Sequence, residues 1–440
     1  MWKLTRIIIP GADGLGNPFA NSLPKCRILR LQSYVSELFR LHDPDSAGCP
    51  VGFWMDTLCI PVAPSAKMYR RKAIQLLGET FSEATAVLVL DRELEIVDSH
   101  TSSFMELGLR IECSGWAKRL WTLQEVALAS DSHVHEGNGK LYFQMRDGPF
   151  LYQKYDRNRK SARRATDDTT ELMSEERSLL FDFHVMLGMG SLIPSVRSLR
   201  DEKPSLSRFM LIYKAVEHRS TSKVEDVPVC IASLVALDVS KILSAPTIDQ
   251  RMANFYLMMR EIPSSVLWCE YKVTTQRLSM SPFRWALSTI TDSPYSLYKR
   301  TPIGICDTEG LHVQYRGFIF EDRENAEEEA FREEMLTREC TIRSLETGAE
   351  LLLRPVRRER TRPIPLQRDM ALIFREPEDM DYPPNTLVVI IERKMKRAEN
   401  GEMEFYATIV GQMHASKSMR THEAVFRGTV TNPNQRWCIT

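Results

Sequence analysis

The run AVLVL (86 to 90) contains no polar residue, so a strand built from it needs cover on both faces. Helices supply that cover in α/β folds, and amphipathic patterns flank the run in both directions. Upstream, CRILRLQSYVSELFRL (26 to 41) places Ile28, Leu31, Tyr34, Val35, Leu38 and Phe39 on one helical face, and AKMYRRKAIQLLGETFSEA (66 to 84) forms a second amphipathic segment. Downstream, SFMELGLRIEC (103 to 113) and GWAKRLWTLQEVALA (115 to 129) read as two further helices, followed by a strand, LYFQM (141 to 145). TRIII (5 to 9) and VGFWMDTLCI (51 to 60) complete the alternation as a strand remnant and a buried strand. Residues 1–150 therefore read as an α/β domain.

The texture then changes. Residues 151–205 form a charged linker or insertion, typified by KYDRNRKSARRATDDTTELMSEER, which is nearly devoid of aliphatic side chains. Helical patterns return over 206–300, in SRFMLIYKAVEHR, EDVPVCIASLVALD and DQRMANFYLMMREI. From 301 to 440 short β-rich segments separated by polar turns predict a β-rich C-terminal module, interrupted by a solvated acidic helix at 321–335.

With 58 basic and 58 acidic side chains, net charge gives no reason to expect nucleic acid or an anionic membrane as the main partner. The longest uncharged apolar run, VPVCIASLVAL (227 to 237), falls short of the roughly 20 residues of a membrane span and predicts a buried helix. MWKLTRIIIPG has too short an apolar core for a signal peptide, and the nine cysteines show no CxxC pair, so a cytoplasmic, reducing location is expected. HVH at 133–135 lacks a third metal ligand nearby and reads as a strand or turn surface, so no metal is expected.

Three stretches carry candidate chemistry. GADGLGN (11 to 17) follows an apolar run and precedes a helix, so its backbone N–H groups either cradle phosphate or form a structural turn, with Asp13 and Asn17 available as caps. Phe19 stands where a dinucleotide fingerprint beginning at Gly14 needs its last glycine, and no P-loop Lys-Ser/Thr pair is present. FWMDTLCIP (53 to 61) sets Asp56 inside an apolar run near the strand end where parallel sheets collect ligands; Cys59 beside it reads as a small core residue. RLWTLQEVALAS (119 to 130), taken as one helix, gathers Leu120, Leu123, Ala127 and Leu128 on a face that also holds Gln124, with Glu125 just beyond Trp121. A buried amide without partners costs a few kcal/mol, so the fold must receive Gln124. On such a helix Arg119 and Glu125, six residues apart, point to different sides, so each needs another ionic partner.

Together, FWMDTLCIP, AVLVLD and RLWTLQEVALA resemble the fungal heterokaryon incompatibility (HET) domain, whose hallmark blocks are W-[IM]-D-x-x-C-I and R-x-W-T-x-Q-E. The resemblance covers roughly residues 10 to 150, and AVEHRSTSKVEDVPVCIASLVALD and SPFRWALSTI resemble segments that follow the domain in many members. One departure is MWKLTRIIIPGA, which stands where the family opens with an aromatic-rich strand. The HET domain is similar to the Toll/interleukin-1 receptor (TIR) domain, a flavodoxin-like fold with a parallel sheet, some members of which cleave NAD.

That resemblance implies a cell-death effector in non-self recognition, with no cofactor and NAD as substrate. Glu125 is the implied catalytic residue, and Asp13, Gly14, Gly16, Asn17, Asp56 and Trp121 the implied nucleotide-binding set. The alternatives are an adaptor that self-associates and recruits signalling partners, and an inactive family member. Three structural expectations follow: the FWMDTLCI and AVLVL runs are neighbouring parallel strands; Glu125, Asp56 and the GADGLGN loop converge on one concavity; and Glu125 is partly accessible, with no close arginine or lysine.

Overall fold

The structure, a computed structural model, describes residues 23–42, 52–129, 141–152, 206–216, 219–268, 277–290, 302–321, 339–355, 370–375, 385–396, 401–417 and 425–440. The chain divides into two compact units, Met1–Pro246 and Thr247–Thr440. The elements expected over 206–300 fall in both. The GADGLGN loop, the HVH pair, the charged segment from 153 to 205 and the acidic run from 322 lie outside the described residues.

The first unit opens with α1 (Lys25–His42), whose predicted face is the less exposed one, with Leu38 buried. FWMDTLCI is not a strand. Residues 52–55 have no regular structure, and α2 (Asp56–Cys59) starts at the aspartate, whose Oδ1 accepts from the Thr57 backbone N–H at 2.6 Å. An aspartate that supplies local hydrogen bonds and places negative charge at a helix start competes with strand pairing, and here it wins. Phe53, Trp54 and Met55 are accordingly half-buried, where a strand covered on both faces would bury them.

After α3 (Lys67–Gln75) and α4 (Leu77–Glu83) comes β1 (Val87–Val89), the centre of the AVLVL run. Its parallel neighbour is β2 (Leu141–Met145), with Val87 opposite Leu141 and Val89 opposite Phe143; β3 (Gly148–Leu151) then pairs antiparallel with β2. This three-stranded sheet backs a core containing Val89, Leu94, Ile111, Trp116, Val126 and Phe143.

The single helix expected over 115–129 is two. Following α5 (Phe104–Cys113), α6 (Gly115–Lys118) and α7 (Thr122–Ala129) are separated by extended backbone at Arg119. A distant segment causes the break: Leu120 N–H donates to Ser220 O and Ser220 N–H to Lys118 O, each at 2.8 Å, a parallel bridge unavailable to a continuous helix. After α8 (Leu206–Val216), the apolar run VPVCIASLVAL supplies α9 (Val227–Leu234), in which every residue but Ser233 is buried, and α10 (Val239–Ser244) ends the unit's described structure. Among the described residues no helix is long and apolar enough to cross a membrane.

The second unit begins with α11 (Ile248–Met259), started by a reciprocal capping box between Thr247 and Gln250. The β-rich texture then yields β4 (Glu261–Pro263), β5 (Ile303–Cys306), β6 (Leu311–Gln314), β7 (Gly317–Phe320), β8 (Cys340–Ser344), β9 (Glu350–Pro355), β10 (Met370–Phe374), β11 (Asn385–Lys396), β12 (Met403–Lys417), β13 (Val425–Val430) and β14 (Arg436–Ile439). They form one sheet in the order β11-β10-β7-β13-β8-β9-β12-β14-β6-β5-β4. Because β11 also pairs with β12, the first seven strands of that order close on themselves as a barrel. Its core is apolar, with Phe318, Ile342, Leu353, Leu372, Val388, Met413 and Phe426 among its members. Register shifts in β11 against β12 let β12 pair with β14 through Glu404–Ala407 and with β9 through Met413–Lys417.

Candidate functional site

The break between α6 and α7 creates the surroundings of Glu125. Turning the chain at Arg119 carries Trp116 of α6 back over α7, and its indole N–H donates to Glu125 Oε2 at 2.7 Å. The same indole packs edge-on against Phe143 of the central strand, ring centres 5.2 Å apart, so sheet and carboxylate share one aromatic support. Thr122 Oγ1 donates to the carbonyls of Trp116 and Arg119, and buried Arg219 gives Nη1 to both Arg119 O and Thr122 Oγ1 at 3.0 Å. The carbonyls freed by the break are thereby satisfied.

Glu125 as a residue is only partly buried, yet desolvation of its carboxylate raises its pKa from the ordinary 4.5 to about 7. The Trp116 hydrogen bond and the charges of Arg119 and Arg219 oppose that rise, while the charge of Asp56 adds to it. No arginine or lysine forms an ion pair with Glu125 among the described residues. Burial lowers the Arg219 guanidinium to about 10, which leaves it charged at neutral pH, and its Nε has no hydrogen-bond partner among the described residues. Arg119, drawn round by the break, lies close enough to act electrostatically on Glu125, contrary to the geometry of one continuous helix.

The remaining sequence candidates divide. Asp56 is exposed at the start of α2, within electrostatic reach of Glu125. Trp121 faces elsewhere: its indole N–H donates at 3.0 Å to Asp226, beside the first turn of α9. Gln124 is received, as its position demanded, by Cys230 O of α9 at 3.2 Å, while its own Oε1 has no partner among the described residues. Cys59 is half-buried and its thiol is pushed up by burial. Asp13, Gly14, Gly16 and Asn17 lie outside the described residues.

Sequence reasoning passed over Trp116 and Arg219. Trp116 stands in the quoted block, but on a continuous helix Trp121 is the closer tryptophan to Glu125. Arg219 carried no local signal beyond an arginine among polar residues. Chemically, the cluster offers one carboxyl group that exchanges its proton near neutrality, a fixed N–H donor to it, and a second carboxylate nearby. No family model, curated protein or solved structure matches the chain.

Proposed function

We propose that the first unit is a HET-type, TIR-like effector domain that cleaves the N-glycosidic bond of NAD, with Glu125 as the catalytic carboxylate. The observation that carries this reading is Glu125 itself: a desolvated carboxyl group with pKa about 7, anchored by Trp116 and free of an ion pair among the described residues. Such a group is ionised in a large fraction of molecules at neutral pH and sits in surroundings where charge interactions are strong. Departure of nicotinamide leaves an oxocarbenium-like ribosyl cation, which an unpaired carboxylate stabilises more than the neutral ground state of the ribose. Trp116 positions the carboxylate, and Asp56 contributes to its raised pKa. The parallel pairing of β1 and β2 supports the flavodoxin-like part of the reading, and the two motif blocks support the family.

Incubation of the purified full chain with NAD, followed by chromatography of nicotinamide and ADP-ribose, tests this reading. Release that disappears in Glu125→Gln is the expected result; release unchanged in that variant removes Glu125 from the chemistry.

A second reading rests on the same cluster. The anchoring of Glu125 by Trp116 and the attraction of two arginines also suit a structural glutamate, at the junction of α6 and α7, in a non-enzymatic adaptor that self-associates. Under that reading Glu125→Gln leaves self-association intact and no nicotinamide is released by either protein.

A further inference from the structure

The junction of α6 and α7 is closed by a side chain from a distant segment. Arg219 is 4% exposed and Thr122 1%, so their contacts are made away from water. Thr122 Oγ1 lies 2.6 Å from Trp116 O and 2.7 Å from Arg119 O, and it accepts from Arg219 Nη1, which also donates to Arg119 O. The hydroxyl that holds the Trp116 carbonyl thereby also holds the residue whose indole N–H reaches Glu125. Thr122 and Glu125 stand three residues apart on α7 and share one face of that helix. The bonds form a closed circuit, from Glu125 to Trp116 by the indole, from Trp116 to Thr122 by the carbonyl, and back along one helical turn.

The backbone is pinned on either side of this circuit. Asp91 Oδ2 accepts from Trp116 N–H at 2.9 Å, and Ser220 bridges Lys118 and Leu120. Loss of one side-chain bond therefore loosens the circuit and leaves the junction in place.

The identity of the buried donor is a second observation. A carbonyl and a hydroxyl are neutral acceptors that a neutral donor would serve. A guanidinium buried to this degree is costly to desolvate, and no carboxylate forms an ion pair with it among the described residues. Its charge nevertheless acts on Glu125, and that of Glu125 on it. A cation bonded one helical turn before a desolvated carboxyl favours the ionised carboxylate, the form that stabilises an oxocarbenium-like ribosyl cation.

We propose that Arg219 and Thr122 are positioning residues for Glu125, locking the junction of α6 and α7 so that the Trp116 indole stays on the carboxyl. The site then extends beyond FWMDTLCIP and RLWTLQEVALA to a segment a hundred residues downstream of Arg119. Its catalytic consequence rests on the NAD-cleaving reading of Glu125; the positioning does not. The other charged groups that act on Glu125 are Arg119, which favours ionisation, and Asp56, which opposes it, and both are kept in every variant below.

The test uses the full chain. Thr122→Val deletes the hydroxyl with all charges in place, and Thr122→Ser restores it. Arg219→Met deletes both charge and tether, and Arg219→Lys returns a cation with donors. Carbon-detected NMR follows the Glu125 carboxyl through pH, and proton–nitrogen spectra follow the Trp116 indole. From about 7 in the parent, the carboxyl midpoint should rise in Thr122→Val and rise further in Arg219→Met, with the indole resonance moving in both. Thr122→Ser and Arg219→Lys should bring the midpoint back toward the parent. In Arg219→Met the kcat of nicotinamide release should fall roughly 10- to 100-fold with KM little changed, because the catalytic group is displaced and no substrate contact is lost. A pair that serves the fold alone would lower the melting midpoint and leave the carboxyl midpoint and the indole resonance where they are; that result in Thr122→Val and Arg219→Met overturns the proposal. Should Arg219→Met fail to fold, Thr122→Val decides by the same two readings. A parent chain that releases no nicotinamide removes the NAD reading, while the carboxyl midpoints still support or overturn the positioning.

Discussion

At the scale of single residues, Glu125 holds its proton far above the ordinary carboxylate range. Its carboxylate loses water, and the N–H it receives from Trp116, with the charges of Arg119 and Arg219, compensates only in part. Between about pH 4.5 and 7 the folded chain therefore binds a proton at Glu125 that the unfolded chain has lost, so stability falls as pH rises through that window. Glu125→Gln removes the dependence. Denaturant unfolding at pH 8 should find the variant more stable by about 2–3 kcal/mol, and at pH 4 the difference should vanish; a pH-independent difference contradicts the raised pKa. Trp116→Phe keeps most of the ring packing and deletes the donor, so the Glu125 pKa should climb further above its present value of about 7. Carbon-detected NMR of the labelled glutamate carboxyl should show a higher titration midpoint, and an unchanged one would mean the indole bond does not govern it. Gln124 was legible in the sequence as a buried amide needing a partner, and Cys230 O is that partner. The role of Trp116 was not, because it depends on a break whose cause is a hundred residues away.

At the scale of elements, local patterns predicted well wherever local forces decide. The apolar stripe of α1, the all-buried α9 and the β-rich run after residue 300 each follow from side-chain spacing alone. FWMDTLCI misled because its apolar content suggests a strand, while a single aspartate at the first helical position, accepting from the Thr57 N–H, starts a short helix. The break between α6 and α7 misled for the opposite reason, since Lys118, Leu120 and Ser220 exchange backbone hydrogen bonds that no local window contains. In the barrel, close approach of β13 and β7 demands a glycine at 428: a β-carbon would lie 2.2 Å from Ile319 O and 2.6 Å from the Phe318 ring. Gly428→Ala should cost the second unit about 2–4 kcal/mol, read as a lowered melting midpoint, with a cost under about 0.5 kcal/mol contradicting the packing.

At the scale of the whole molecule, two units with separate cores invite separate chemistry. The second is held by pairing between β11 and β12, a contact that closes the sheet and leaves seven strands of the barrel without a free edge. A fragment spanning 247–440 should therefore fold alone, with β-type circular dichroism and one cooperative thermal transition; a non-cooperative melt would mean it depends on the first unit. In the first unit Glu125 is the ionisable group on which the proposed NAD cleavage depends. The pH profile of nicotinamide release from NAD by the full chain tests it most directly. Activity should rise with pH to a plateau, with its midpoint near 7 where Glu125 loses its proton, and Glu125→Gln should be inactive throughout. No nicotinamide release between pH 5 and 9, or a profile unaltered by Glu125→Gln, would contradict the account.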